Sequence, residues 1–203
     1  QHLVRTYVPE FVLSPTVRSN EVFNCSPISK YGRYTLLRTQ YPYDLRLDNQ
    51  LCLLLSTSGS TGSPKFVRLS YKNIESNAHA IASYLNIREH DRAIVTMSIS
   101  YTYGLSIIHS HLLHGASLII PESSIVTRQF WEMFSREGAT TFSGVPYIFH
   151  MLDRLGFEKK QLPTLQYITQ AGGKLEKNLT DKFHDYCRTR GLRFITMYGQ
   201  TEA

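Results

Sequence analysis

Long apolar runs are missing from this 203-residue chain. The longest are short, such as Leu51–Leu55, whereas a membrane-spanning helix needs about 18 or more apolar residues. The first residues, Gln1 to Arg5, do not form a basic leader followed by an apolar stretch, so no signal peptide is visible. We therefore expect neither a membrane span nor a secretory leader.

Cysteine is also scarce. Cys25, Cys52 and Cys187 are odd in number and far apart, and they form neither a disulfide framework nor a zinc-type spacing. Reduced thiols in a cytoplasmic protein are the prediction. The 12 glycines and 8 prolines are too few for a collagen-like or low-complexity chain, and the 42% of hydrophobic residues can form a core.

The net charge of +6 comes from basic residues that are scattered, apart from the cluster Arg188–Arg193. A solvated surface explains such scattering most simply, and an anionic small molecule is the second explanation. Nucleic acid comes third, because no stripe of Lys and Arg interleaved with aromatic residues is present. We predict no nucleic-acid partner.

Strands and helices alternate from Ser70 onward. Apolar periodicity predicts helices over 71–85, 104–114, 127–137, 147–155 and 175–190. It predicts strands over 93–98, 116–120, 140–143, 165–169 and 194–198. This alternation favours an α/β fold with a mainly parallel sheet flanked by helices.

The first seventy residues differ from the rest. Phe11–Leu13, Tyr34–Arg38 and Leu51–Ser56 resemble short strands without intervening helices. We therefore predict one domain in two parts: a small β-rich segment over residues 1–70 and a βα-alternating subdomain over residues 71–203.

Ligands of parallel sheets bind beyond the carboxyl ends of the strands. Four predicted loops lie there, and they contain four of the nine glycines of residues 71–203. They are Ser98–Tyr103, Gly144–Pro146, Gln170–Lys174 and Gly199–Glu202.

The nine residues Thr57–Lys65 separate two strand-like runs, LCLLLS and FVRLS. Hairpin loops usually have about two to five residues, so this length needs a reason. Two glycines let backbone N–H groups turn toward a ligand, five hydroxyl side chains offer donors, and Lys65 adds a positive charge. These are the components of a phosphate-binding loop, and a mobile surface loop is the alternative. Neither a Walker A loop nor a G-x-G-x-x-G fingerprint is present.

The string TSGSTGSPK resembles the signature loop [ST]-[SG]-G-[ST]-[ST]-G-x-P-K of the adenylate-forming superfamily, also called the AMP-binding superfamily. That superfamily includes acyl-CoA synthetases, adenylation domains of peptide synthetases, and luciferases. The resemblance extends over essentially 51–203, because further segments resemble family motifs in the same order. These segments are Ser100–Leu105, Gly144–Pro146, Gln170–Leu175 and Tyr198–Glu202.

The resemblance implies a ligase that joins a carboxylate to the α-phosphate of ATP, releases pyrophosphate, and passes the acyl group to a thiol. ATP and Mg²⁺ are the implied cofactors. Coenzyme A is the leading acceptor, and the phosphopantetheine arm of a carrier protein is the alternative. A non-catalytic nucleotide- or adenylate-binding module is the competing function.

The resemblance also implies roles for single residues. Thr61 and Lys65 would act on the β- and γ-phosphates, Thr201 would contact the α-phosphate, and Glu202 would hold Mg²⁺. Gly172, Gly173 and Lys174 would line the adenine pocket, and Tyr198 would stack on the purine. The complete nucleotide-binding set is Thr57, Ser58, Gly59, Ser60, Thr61, Gly62, Ser63, Lys65, Gly172, Gly173, Lys174, Tyr198, Gly199, Gln200 and Thr201.

The acid is expected beside Tyr101, Tyr103 and Gly104. Amino-acid-activating members of the family usually carry an Asp near this point to hold the substrate ammonium. The segment Ser98–Gly115 contains no Asp or Glu, which favours an acyl or aryl acid over an α-amino acid.

Three histidines in this segment, His109, His111 and His114, do not all share a helix face, and no acid completes a metal-binding set. We predict that they lie on the helix surface or at an interface.

The first residue is not Met, and no helix follows the last predicted strand. Together with the resemblance, this predicts a fragment of a longer protein. Its C-terminal domain, with the catalytic lysine of the family, would follow Ala203. We expect the 203 residues alone to adenylate an acid poorly or not at all.

Overall fold

The computed structural model describes residues 2–15, 25–41, 46–57 and 66–202. Contacts divide the chain into two compact units, residues 1–49 and 50–203. The two strands on either side of the glycine-rich loop belong to the second unit. The division at residue 70 into two parts of one domain stays a prediction.

The first unit contains a three-stranded antiparallel sheet in the order β1-β3-β2. Over residues 2–15, 25–41 and 46–49, its elements are α1 (His2–Tyr7), β1 (Phe11–Pro15), β2 (Cys25–Tyr31) and β3 (Tyr34–Thr39). α1 precedes the first predicted strand and was not predicted, since six residues are too few to show a helical period. β2 was not predicted either, because Pro27 weakens the strand pattern in the sequence. The pairing register of β2 with β3 shifts between Pro27 and Ser29.

The second unit begins with an antiparallel hairpin of β4 (Leu51–Ser56) and β5 (Phe66–Ser70). Ser56 is paired with Phe66, so the chain enters and leaves the glycine-rich loop at adjacent points. A strand follows the loop, where a Walker A loop would be followed by a helix. The residues Ser58 to Lys65 lie outside the described part of the chain.

Within residues 66–202, five strands form a parallel sheet in the order β10-β9-β8-β6-β7. The prediction of a parallel sheet flanked by helices is therefore confirmed. No helix in the described ranges is long and apolar enough to cross a membrane. The strands are β6 (Arg92–Ile94), β7 (Ser117–Ile119), β8 (Thr141–Gly144), β9 (Tyr167–Gln170) and β10 (Arg193–Thr196). The helices are α2 (Tyr71–Leu85), α3 (Thr102–Leu113), α4 (Arg128–Arg136), α5 (Pro146–Arg154) and α6 (Lys177–Thr189), with a 3₁₀ turn at Phe157–Lys159.

The main core is aromatic. Phe130 and Phe134 of α4, Phe142 of β8 and Phe149 of α5 are fully buried in it. Every residue of β8 and β9 is buried, as expected for central strands of a sheet that is covered on both faces. The apolar spacing of 127–137 and 175–190 predicts inward faces that include Phe130, Phe134 and Phe183, and all three are buried. Trp131, which the same spacing predicts to point inward, is half-buried against this core.

The start of α2 agrees with its prediction, whereas the start of α6 does not. Ser70 and Asn73 form a capping box at the start of α2, with Asn73 N–H donating to Ser70 Oγ at 3.1 Å and Ser70 N–H donating to Asn73 Oδ1 at 3.0 Å. α6 begins at Lys177 rather than at the predicted Leu175, which is buried ahead of the helix.

The strand predicted over 93–98 is wrong beyond its first residues, because β6 ends at Ile94. The N–H of Val95 still donates to the Ile119 carbonyl at 2.9 Å. The next link to the sheet is a side chain, since the Thr96 hydroxyl donates to the Ser143 carbonyl at 2.6 Å. Similarly, β10 ends at Thr196, two residues before the predicted end.

The inward face of α3 differs from its prediction. The apolar spacing of 104–114 predicts an inward face of Leu105, Ile108 and Leu112. Leu112 is 55% exposed, however, while Ile107 and His111 are buried. The helix is apolar on most sides, so periodicity could not identify the buried face. The prediction that His111 lies at the surface is also wrong, since it is 2% exposed.

The surroundings of His111 favour its neutral form. Its Nδ1–H donates to the Ile107 carbonyl at 2.8 Å, and its Nε2 lies 3.4 Å from the hydroxyl of Tyr167. Burial lowers the pKa of His111, although the Ile107 carbonyl and the nearby Asp91 carboxylate oppose this shift. Protonation therefore favours the unfolded chain.

We expect the melting temperature to fall as the pH drops below about 6.5, the pKa of an unfolded histidine. Above that pH the stabilisation by neutral His111 is complete, and it is lost as the pH falls toward the lowered folded-state pKa. The slope in unfolding free energy is at most about 1.4 kcal/mol per pH unit. His111→Gln should have a shallower dependence, whereas the exposed control His184→Gln should follow the wild type. Equal slopes for all three proteins would contradict this assignment.

Candidate functional site

Four loops meet at the carboxyl edge of the parallel sheet. They follow β6, β8, β9 and β10, which are consecutive neighbours in the sheet order. Hydrogen bonds extend the ladder beyond the strand ends, from Ala171 N–H to the Gly144 carbonyl at 3.2 Å and from Met197 N–H to the Gln170 carbonyl at 2.8 Å. The four loops selected from the sequence therefore start side by side.

The loop after β9 approaches the start of α3 closely. Gly172 has φ +78°, a left-handed conformation that favours glycine. A Cβ atom added there would lie 2.3 Å from the hydroxyl of Tyr101 and 2.9 Å from Cγ1 of Val145. Gly172 therefore brings together the predicted adenine loop, the predicted acid-binding segment and the G-V-P segment.

A side-chain hydrogen bond shapes the same loop. The carboxamide Nε2 of Gln170, which is buried, donates to the Gly173 carbonyl at 2.8 Å and lies 3.3 Å from the Ala171 carbonyl. The last residue of β9 therefore stabilises the loop that follows this strand.

Tyr103 is buried and hydrogen-bonded within the fold. It is 8% exposed, and its hydroxyl lies 2.6 Å from the Thr169 hydroxyl, which in turn donates to Ser143 Oγ at 2.8 Å. Burial raises the pKa of the Tyr103 hydroxyl. These contacts give Tyr103 a structural role between α3 and the strands β8 and β9, and its contact with an acid substrate stays a prediction. Tyr101 is 40% exposed at the surface of the site.

Thr102 lies between these tyrosines and contacts the last loop. Its Oγ1 is 3.0 Å from Oγ1 of Thr201, and either atom could be the donor. Thr201 is the residue for which the family resemblance implies an α-phosphate contact.

The other predicted nucleotide-binding residues of these loops reach solvent. Tyr198 is 91% exposed, so it does not pack in the core after the end of β10. Gly199, Gln200 and Glu202 are exposed on the same loop, and Lys174 is exposed on the loop after β9. These groups are accessible to a ligand.

The structure describes one residue of the hydroxyl-rich loop Thr57–Lys65. Thr57 is described and half-buried at the end of β4. The nucleotide-binding roles predicted for the other loop residues concern positions outside the described residues, namely Ser58, Gly59, Ser60, Thr61, Gly62, Ser63 and Lys65.

Gly104 is required by packing. A Cβ atom there would lie 2.3 Å from the backbone oxygen of Ser98, so the first turn of α3 is pressed against the loop after β6. This contact explains the glycine without a ligand, and the substrate contact predicted for Gly104 stays a prediction.

We expect Gly104→Ala to destabilise the protein by about 1–3 kcal/mol, because the backbone must move to admit the methyl group. Gly199→Ala is the matched control for stability, since its added Cβ would meet nothing within 4 Å and its φ is not left-handed. Denaturant unfolding measures both changes. A Gly104→Ala variant as stable as Gly199→Ala would contradict the close approach.

The residues of this site fit an Mg²⁺ ion that is bound mainly by the phosphates of a nucleotide. Among the residues that the structure describes, no group of three His, Cys, Asp or Glu side chains could hold a metal ion. Mg²⁺ that travels with substrate phosphates requires only one or two protein carboxylates. The exposed Glu202, close in sequence to Thr201, provides one.

Sequence reasoning missed Thr102, Ser143, Thr169 and the role of the Gln170 side chain. A signal was available for three of them, because Ser143, Thr169 and Gln170 are polar residues in or directly after strands predicted for a sheet flanked by helices. Such residues remain buried only with hydrogen-bond partners.

Comparisons with known proteins agree with this architecture. The family model described as AMP-binding enzyme matches residues 15–203. An acyl-CoA synthetase of Gibberella moniliformis is 28% identical over 187 residues, which is 91% of this chain and 31% of that protein. The chain therefore spans about a third of the length of this relative.

Two solved structures are similar to this chain in fold. VinN in complex with L-aspartate matches with a TM-score of 0.66 at 28% identity, over 78% of this chain and 40% of that one. The O-succinylbenzoate coenzyme A synthetase of Bacillus subtilis, in complex with AMP, matches with a TM-score of 0.63 at 25% identity, over 73% of this chain and 30% of that one.

Proposed function

Because the chain belongs to the AMP-binding enzyme family, we propose that it is part of a ligase that activates a carboxylic acid with ATP. A carboxylate oxygen attacks the α-phosphorus, the bond from that phosphorus to the bridging oxygen of the β-phosphate breaks, and pyrophosphate leaves. A thiol then takes the acyl group from the acyl-adenylate, and AMP is released. The observation that carries this proposal is the meeting of the Gly172 turn, Tyr101 and Thr201 at one edge of the sheet.

In this proposal, the chain's residues bind and orient ATP, since displacement at phosphorus needs positioning and charge stabilisation more than covalent help. The Thr201 hydroxyl donates to the α-phosphate, and the exposed ring of Tyr198 stacks on the purine beside Gly172 and Gly173. Thr61 and Lys65 bind the β- and γ-phosphates. Mg²⁺, held through Glu202, would neutralise phosphate charge.

The substrate is an acyl or aryl acid without an ammonium group. VinN was solved with L-aspartate, but Ser98–Gly115 of this chain contains no Asp or Glu that could pair with an ammonium. The exposed Tyr101 at the start of α3 provides an aromatic surface for such an acid.

Coenzyme A is the proposed acceptor, as in the name of the Gibberella moniliformis relative, and the proposed reaction takes place in the cytoplasm. The phosphopantetheine arm of a carrier protein is the alternative. The remaining part of the longer protein would complete the site, as expected from the family.

The test is product analysis with the full-length protein. It is incubated with Mg·ATP, coenzyme A and single acids from a panel of fatty, aryl and amino acids, and AMP and thioester are measured by mass spectrometry. We expect AMP and an acyl-CoA in equal amounts with a fatty or aryl acid. Pyrophosphate and acyl-adenylate without thioester would indicate an acceptor other than coenzyme A, and a phosphopantetheinylated carrier protein should then yield AMP and the thioester. Products only with amino acids would contradict the proposed substrate class.

A further inference from the structure

The first turn of α3 connects to two different parts of the sheet edge through adjacent side chains. Thr102 contacts Thr201, 99 residues further along the chain, at 3.0 Å. Tyr103 contacts Thr169 of β9 at 2.6 Å. The predicted acid-binding segment is thus joined directly to the residue proposed for the α-phosphate.

Thr201 has little other support. Within residues 66–202, the Thr102 hydroxyl is the only hydrogen-bond partner of the Thr201 side chain. The neighbouring residues Gln200 and Glu202 are exposed. The direction of the Thr201 hydroxyl therefore depends on Thr102.

Thr102, in contrast, has a rigid support. The next side chain, Tyr103, is buried and is the first member of the hydrogen-bonded series Tyr103–Thr169–Ser143. One residue later, Gly104 is pressed against the Ser98 backbone. These contacts fix the turn that presents Thr102.

We propose that Thr102 is a positioning residue that directs the Thr201 hydroxyl toward the α-phosphate of ATP. This inference rests on the proposed function. Phosphate oxygens accept hydrogen bonds and do not donate them, so Thr201 must keep its proton for the phosphate. Thr102 O–H therefore donates to Thr201 Oγ1 in the binding arrangement. A methyl group in place of the Thr102 hydroxyl removes that donor.

Thr102→Val in the full-length protein tests this role. We expect kcat of acid-dependent pyrophosphate exchange to fall about three- to tenfold, the range of one lost hydrogen bond. The KM for the acid should stay within about twofold, because the change acts on the phosphate side. Thr102→Ser keeps the donor and should restore kcat. Thr102→Ala replaces the valine variant if the latter does not fold.

Thr189→Val is the matched control. The Thr189 hydroxyl donates to the Asp185 and Tyr186 carbonyls at the end of α6, on a helix rather than at the sheet edge. The Thr189→Val variant lacks the same hydroxyl group, so its stability should fall while its kcat stays unchanged.

A double-mutant cycle separates positioning from packing. If Thr102 acts through Thr201, then Thr102→Val should cause no further loss of kcat in a Thr201→Val background. Full additivity of the two losses of kcat, or a Thr102→Val protein with normal kcat, would overturn the inference. The proposed function would still stand in either case, because the wild-type protein is active. A folded wild-type protein without exchange would overturn both.

Discussion

Replacing Glu202 by Gln should lower acid-dependent pyrophosphate exchange of the full-length protein about a hundredfold or more, the usual effect of losing a charge-stabilising group. Glutamine keeps the size of the side chain but removes the negative charge that the proposal assigns to Mg²⁺. Because Glu202 is exposed and has no ion pair within the described residues, its loss should not affect folding. The melting temperature should therefore match that of the wild type.

Glu132→Gln provides the control for this change. Glu132 is exposed, lies on α4 and pairs with Arg128 at 2.6 Å, so its replacement removes the same charge away from the carboxyl edge of the sheet. It should leave exchange unchanged. If Glu202→Gln retained exchange within about threefold of the wild type, a smaller change than one lost charged hydrogen bond causes, Glu202 would have no role in the reaction.

Gly172→Ala should raise the KM for ATP about tenfold or more. A left-handed alanine alone costs about 1–2 kcal/mol, and its Cβ would collide with the hydroxyl of Tyr101. Both effects push the loop away from the position that the proposal assigns to the adenine. Steady-state kinetics with ATP as the varied substrate measures the change.

Two further variants separate strain from collision. Gly191→Ala carries a comparable left-handed φ of +69° but meets nothing within 4 Å at the end of α6, so it should lose stability and keep its KM for ATP. Adding Tyr101→Phe to Gly172→Ala removes the colliding oxygen and should recover part of the loss. An unchanged KM in Gly172→Ala would show that the loop does not contact ATP.

The sequence was sufficient where patterns were local and periodic. α2 was predicted with its bounds because Ser70 caps it and its apolar residues recur at helical spacing. The parallel sheet followed from the alternation of elements, and the carboxyl-edge rule selected loops that begin side by side.

The sequence was insufficient where an element is apolar on most sides or is fixed by a distant contact. In α3, the buried face is set by the approach of Gly104 to Ser98 and by His111 packing toward Tyr167. Neither contact leaves a periodic signal in the sequence. The Thr102–Thr201 pair joins positions 99 residues apart, and no spacing rule connects them.

The site residues divide in the same way. Short motifs located Gly172 and Thr201, whose surroundings the structure describes, and they also selected Tyr103 and Gly104, for which packing now gives a sufficient reason. Polar residues at the ends of buried strands, such as Thr169 and Gln170, were passed over because they matched no motif. Their hydrogen bonds hold the loops in place.

The most direct test of the central claim is acid-dependent exchange of labelled pyrophosphate into ATP by the full-length protein. A carboxylate that attacks the α-phosphorus makes this exchange depend on the acid, so we predict label in ATP with a fatty or aryl acid and none without acid. Lys65→Ala should lose most of it. A folded protein that binds Mg·ATP but exchanges no pyrophosphate with any acid would be a non-catalytic nucleotide-binding module, and that result would contradict the account.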